Sequence, residues 1–223
     1  MSMITSHPLF PMFVDIKNKK CLVFGGGSVA LRKVKTLLKF GVQVHVYAFE
    51  YHGELQWMID HGQVIKAAVT VRFTDEELPP LLGMDMVVCA TNNEVFNHKI
   101  AKRCKEIGIE VNSATSRQDC TFIFPAVVVR ENLVVGVTTS GKTPAFAKRV
   151  RADIDDALPL WYGEFINALE DARKIVKKYV GNQTDRKQII GELTEYGLNH
   201  QGNISDNMVE TLIRQYTSDD DVE

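Results

Sequence analysis

"KCLVFGGGSVALRKVKTLLKFG", Lys20 to Gly41, decides the fold. The apolar run Lys20–Phe24 stops at three consecutive glycines. Beyond them Val29, Ala30, Val34, Leu37 and Leu38 recur at helical spacing, and Gly41 suits a C-terminal cap. A strand that turns on glycines into a helix is the context that gives Gly25-x-Gly27-x-x-Ala30 its meaning. Gly25 permits the tight turn. Gly27 has no side chain to block a pyrophosphate. Ala30 lets helix and strand approach closely, and the helix N-terminus offers free N–H groups to phosphates.

Working outward, "VQVHVYAF" (Val42–Phe49) is a second strand, "QVIKAAV" (Gln63–Val69) a third and "MDMVVCAT" (Met84–Thr91) a fourth. The fourth is apolar nearly throughout, as a strand covered on both faces must be. "EVFNHKIAKRCKEIG" (Glu94–Gly108) is a helix and "IEVNSA" (Ile109–Ala114) a fifth strand. This rhythm implies parallel β-α-β units. An acidic ribose-binding residue is expected about 20 residues after the glycine turn. The second strand ends "YAFE", so Glu50 takes that place, and no arginine follows to receive a 2′-phosphate, which favours NAD over NADP. Thr91, Asn92 and Asn93 fall at the carboxyl edge of the sheet, where such folds bind ligands.

The rhythm changes after Asn112. "TFIFPAVVVRENLVVGVTT" (Thr121–Thr139) reads as an antiparallel hairpin, and from Pro144 onward the pattern is helical. The expected organisation is α/β: a Rossmann-type parallel sheet over 1–112, a β-rich dimerisation connector over 113–143 and a helical domain over 144–223. A lone hairpin is marginal in water. Pairing with the same hairpin of a second chain would relieve that, so a homodimer is expected.

Bulk properties exclude several classes. The formal charge of −2 over 223 residues gives no basic surplus for nucleic acid. No apolar run approaches the roughly 20 residues that span a bilayer, and "MSMITSHPLFPMF" lacks a basic n-region. The four cysteines form no C-x-x-C pair and the six histidines are scattered, so reduced core thiols in a cytoplasmic protein are expected and no metal site.

A second glycine segment, "GVTTSGKTPAF" (Gly136–Phe146), matches the triphosphate-loop pattern G-x-x-x-x-G-K-S/T by letters. Pro144 argues against that function, because it disfavours helical backbone at Thr143, where a true loop is already winding. No apolar strand ends in a magnesium-holding aspartate either. Thr143 reads instead as an N-cap with Pro144 at the first helical position. The hydroxyls of Thr138, Thr139 and Ser140, with Lys142 and a helix N-terminus, still form an anion-binding group suited to a carboxylate-rich ligand.

In order, "PLFPMFVDIKNKKCLVFGGGSVALRKVKTLL", "CATNNEVFN" and "VNSATSRQDCTFIFPAVVVRENLVVGVTTSGKTPAFAKRVR" resemble the siroheme synthase family, comprising precorrin-2 dehydrogenase, often joined to sirohydrochlorin ferrochelatase. The resemblance implies NAD-dependent oxidation of precorrin-2, a tetrapyrrole with eight carboxylates, in a homodimer. By position, it implies that Ser28 and Val29 touch the dinucleotide, that Phe49 and Glu50 lie near the ribose, and that Thr139 lies near the tetrapyrrole. It also exposes a departure. Where the family carries an aspartate that acts as general base, this chain has Thr115, which has no carboxylate. The nearest carboxylate in that loop is Asp119. Dehydrogenation is therefore expected, and the missing carboxylate puts ferrochelatase activity in doubt. The open alternatives are a generic NAD-dependent oxidoreductase and a carrier or regulator that binds NAD and tetrapyrrole without turnover.

Overall fold

The computed structural model describes residues 8–67 and 81–217. They divide into two compact units, Met1–Phe124 and Pro125–Glu223. Among the described residues no helix is long and apolar enough to cross a membrane.

The first unit runs β1 (Lys20–Phe24), α1 (Ser28–Lys39), β2 (Gln43–Tyr47), α2 (Gly53–Asp60), β3 (Ile65–Lys66), β4 (Met86–Cys89), α3 (Glu94–Glu106) and β5 (Glu110–Ser113). The strands form one sheet in the order β3-β2-β1-β4-β5, every pair parallel. The chain leaves β1 in one direction through β2 and β3, then returns to the other side of β1 for β4. The order thus reverses between β1 and β4, which opens a crevice at their carboxyl ends.

Side-chain alternation along the strands builds two cores. Cys21, Val23, Val44, Val46 and Val88 pack with Ala30, Val34 and Leu37 of α1 and Leu55 and Met58 of α2. Leu22, Phe24, Val87, Cys89 and Val111 pack with Ile100, Ala101 and Cys104 of α3. Both faces are covered, which is why these strands read as unbroken apolar runs.

Two elements differ from the sequence reading. Helix α2 was not foreseen: it has eight residues and buries only Leu55 and Met58, too few to print a period. The third strand shortens to Ile65–Lys66, and the last two residues of its expected stretch lie outside the described residues. So does the expected acidic tail, Ser218–Glu223.

Position 112, the expected end of the first domain, falls inside β5. Past β5 the chain doubles back along that strand. Thr121 N–H donates to Val111 O at 2.8 Å, and Val111 N–H donates to Thr121 Oγ1 at 2.8 Å. The return segment covers the sheet edge, and Phe122 and Phe124 join the α1-side core.

The second unit comprises the antiparallel hairpin β6 (Ala126–Arg130) and β7 (Leu133–Val137), then α4 (Pro144–Ala157), α5 (Tyr162–Tyr179), α6 (Gln183–Asn199) and α7 (Asp206–Thr217). The hairpin packs on α4 and α5. Arg130 closes it onto the end of α4, with its guanidinium 2.8 Å from the Asp155 carboxylate and donating to the Leu158 carbonyl. Arg130 first, and Arg151 after it, hold the Asp155 carboxyl below the usual carboxylate range. Helices α5 to α7 share a core of Ala172, Val176, Ile189, Leu193, Val209 and Leu212.

Candidate functional site

The glycine turn between β1 and α1 carries three different constraints. Gly25 has φ +114°, and a Cβ there would lie 2.3 Å from the Ala90 carbonyl oxygen in the loop after β4. A Cβ at Gly26 would lie 2.0 Å from the Glu50 carbonyl oxygen in the loop after β2, and the Gly26 carbonyl accepts from His52 N–H at 2.7 Å. The protein's own backbone requires both glycines. Gly27 is unlike them: a Cβ there would meet nothing within 4 Å. Gly27 is also the N-cap of α1, no side chain caps that helix, and its first turn holds no acidic residue. The turn therefore presents open space in front of an uncapped helix N-terminus. Ser28 and Val29 form the first turn, and Val29 is exposed. That combination fits a dinucleotide's pyrophosphate.

The neighbouring strand ends line the same edge of the sheet. After β2, Phe49 is 78% exposed with its ring set edge-on to Tyr47, and Glu50 is exposed in the following bend. After β4, Thr91 and Asn92 lead into Asn93, which caps α3 by accepting from Phe96 N–H at 3.0 Å. After β5 comes the exposed Thr115. Gly25, Gly27, Ser28, Val29, Phe49, Glu50, Thr91, Asn92 and Thr115 thus all follow the carboxyl ends of β1, β2, β4 and β5.

Asp119 is placed differently. Its carboxylate is buried and lies 2.8 Å from His98 Nδ1 on α3, while the His98 side chain is largely exposed. Gly26 and His98 escaped the sequence reading, Gly26 within a glycine run and His98 as one polar position among several on a helix.

Residues 12–126 match the family described as putative NAD(P)-binding. The chain belongs to that family. Among curated relatives of this NAD(P)-binding protein, the siroheme synthase of Saccharophagus degradans is 32% identical over 180 residues, covering 80% of this chain and 38% of the relative. The siroheme synthase of a Psychrobacter species is 31% identical over 181 residues, covering 80% and 36%. A probable multifunctional siroheme biosynthesis protein of Ruminiclostridium josui is 36% identical over 151 residues, covering 67% and 28%. The chain therefore spans about a third of the length of these relatives. A solved structure described as SirC, precorrin-2 dehydrogenase, has the same fold, with a TM-score of 0.65 at 23% identity over 94% of this chain and 100% of that one.

Beneath the sheet edge the NAD(P)-binding unit holds an unusual lysine. Lys33 of α1 donates to Asn112 Oδ1 at 2.6 Å and sits 4.3 Å over the Phe124 ring. Burial first, and the Arg32 charge after it, lower its ammonium to about 8 against the opposing pull of Cys120 and Cys21. Burial likewise pushes the Cys21 thiol up to about 12, which leaves it an inert core group.

In the second unit, the loop before α4 uses two of its hydroxyls on itself. Thr138 Oγ1 accepts from Ser140 N–H and Thr139 Oγ1 from Thr143 N–H, both at 3.1 Å. Ser140 (φ 55°) and Gly141 (φ 79°) make the turn left-handed. Thr143 occupies the N-cap position with Pro144 after it, as expected, but its side chain caps nothing. Lys142 is exposed beside that helix N-terminus.

Proposed function

We propose that this protein oxidises precorrin-2 to sirohydrochlorin with NAD as hydride acceptor. The observation that carries the reading is the open space at Gly27 before an uncapped helix N-terminus, at the reversal point of the sheet. The siroheme synthase relatives supply the substrate. When bound, the nicotinamide would take the hydride. The chain's residues bind and orient. The α1 N-terminus with Ser28 and Val29 would hold the pyrophosphate, and Phe49 would lie beside the adenosine. Thr91 and Asn92 would border the nicotinamide end. The carboxylates of the tetrapyrrole would dock on the loop bearing Thr139, Ser140 and Lys142. Orientation of this kind contributes about 7–11 kcal/mol in well-aligned cases.

A proton leaves the macrocycle with the hydride. Thr115 cannot accept it near neutrality, and Asp119 is buried against His98. The proton passes to water or to a substrate carboxylate, and ferrochelatase activity is absent. Two copies would pair through the hairpin, whose strands bond only to each other among the described residues. The four free cysteines accord with a cytoplasmic location.

The deciding experiment mixes protein, NAD+ and precorrin-2 and follows NADH absorbance beside the tetrapyrrole spectrum. Stoichiometric NADH and sirohydrochlorin are expected. Binding of both ligands without NADH would make the protein a carrier instead. Adding ferrous ion to the product should give metallation at the spontaneous rate only.

Glu50 is the basis for choosing NAD. A carboxylate bonded to the ribose 2′-hydroxyl is worth about 1.5–3 kcal/mol and repels a 2′-phosphate. Glu50→Ala should weaken NAD+ binding about tenfold and raise NADP+ affinity. Isothermal titration with both nucleotides measures this, and an unchanged NAD+/NADP+ ratio would count against it.

A further inference from the structure

The carboxyl edge of the sheet contains a small polar framework whose centre, Asn97, the proposed dehydrogenase reading leaves unused. Asn97, in the first turn of α3, is fully buried. Its Nδ2 donates to the Thr91 carbonyl at 3.0 Å and to Thr115 Oγ1 at 3.2 Å, and its Oδ1 accepts from Thr91 Oγ1 at 2.7 Å. One amide therefore ties the end of β4 to the segment after β5. Its orientation is fixed, because a carbonyl oxygen can only accept: flipping the amide would set Oδ1 against Thr91 O.

The same logic orients Thr115. Asn97 donates to Thr115 Oγ1, which also lies 3.2 Å from Ser113 Oγ. Ser113 is buried, and a buried hydroxyl places its proton on an acceptor. Thr115 Oγ1 is the acceptor within reach. With Ser113 as the donor of that pair, two donors occupy its lone pairs from the protein side. Thr115 itself is exposed, so its own O–H is left to point outward.

We infer that Asn97 is a positioning residue that acts through Thr115, presenting the Thr115 hydroxyl as a hydrogen-bond donor to an acceptor oxygen of the bound ligand. This rests on the dehydrogenase reading and deepens it. The segment after β5 thus offers a fixed donor rather than a proton acceptor. Two ligand oxygens have the required chemistry: the carboxamide oxygen of the nicotinamide and a carboxylate of the tetrapyrrole.

The test is a double-mutant cycle on Asn97→Ala and Thr115→Val, with Thr115→Ser as the rescue variant, read as the dissociation constants for NAD+ and for sirohydrochlorin. Neither measurement requires turnover. Thr115→Val should weaken one ligand about tenfold and leave the other unchanged, which identifies the acceptor oxygen, and Thr115→Ser should restore binding. Asn97→Ala should weaken the same ligand to the same degree. The double variant should be no worse than the worse single, whereas independent residues would multiply to about a hundredfold. If Asn97→Ala does not fold, Asn97→Asp replaces it: this keeps the shape and the Thr91 hydroxyl's acceptor but withdraws both N–H donors. Unchanged binding of both ligands by Thr115→Val, or multiplied losses, overturns the inference. Wild-type protein that binds both ligands but forms no NADH removes the dehydrogenase reading, while the coupling between Asn97 and Thr115 still decides the inference. Protein that binds neither ligand overturns both.

Discussion

Gly26→Ala should destabilise the protein by about 3 kcal/mol and weaken NAD+ binding at least about a hundredfold, while its neighbour Gly27→Ala should leave stability nearly untouched. The two substitutions add the same atom one residue apart. At Gly26 the new Cβ would lie 2.0 Å from the Glu50 carbonyl oxygen and 2.8 Å from the Ala48 Cβ. The first of these is backbone and cannot swing away as a side-chain tip would. Relief requires the loop after β2 to retreat, which breaks the His52 N–H bond to the Gly26 carbonyl and carries Phe49 and Glu50 off with it. Stability and binding fall together.

At Gly27 the backbone is in an ordinary extended conformation (φ −82°, ψ −173°), and the added Cβ meets no protein atom within 4 Å. The folded state should therefore change by no more than about 0.5 kcal/mol. The Cβ instead enters the space proposed for the pyrophosphate, so NAD+ affinity should drop about tenfold or more. Urea unfolding and isothermal titration on both variants separate the two losses. A wild-type urea midpoint for Gly26→Ala contradicts the crowding argument, and unchanged NAD+ affinity in Gly27→Ala contradicts the site.

That contrast marks the limit of what the sequence could tell. Lys20–Phe24 stands as the first strand with the bounds read from its letters, because a strand buried on both faces leaves a continuous apolar run and three glycines end it. The helices from Pro144 onward were legible from their periodicity, and the hairpin from the polar break at "REN". Gly25 and Gly27 were singled out because their spacing is a known pattern.

Gly26 was not found, because its constraint comes from a carbonyl 24 positions away in the chain, visible only once β2 lies beside β1. Asn97 was not singled out for the same reason: its partners Thr91 and Thr115 arrive from two strand ends. The loop from Thr138 to Thr143 shows the converse. Its hydroxyls advertised an anion site, and in the structure Thr138 and Thr139 also accept from the loop's own amides, a local use that composition does not reveal.

Lys33 carries the second large effect. In the sequence it sits in "LRKVK" like any basic helix residue, but Asn112 of β5 lies beside it and the return segment after β5 lays Phe124 beneath it. Its ammonium titrates near 8 in the folded protein against an ordinary 10.5. A lysine whose folded value is lowered binds its proton more weakly folded than unfolded. Stability must therefore rise as pH increases through the window from 8 to 10.5, and below 8 the penalty for the desolvated charge is fully present. At about 1.4 kcal/mol per unit, the window amounts to about 3 kcal/mol. Lys33→Met removes the titration while keeping the length of the side chain. It also removes the bond to Asn112 Oδ1, a loss of about 1–3 kcal/mol that is present at every pH. The variant should consequently be close to wild type in stability near pH 7 and fall behind by about 3 kcal/mol more near pH 10.5. Other titrating groups are common to both proteins and cancel in the difference. Urea midpoints measured across that range for the pair decide the matter, and parallel pH profiles would show that the Lys33 charge is not desolvated in the folded protein.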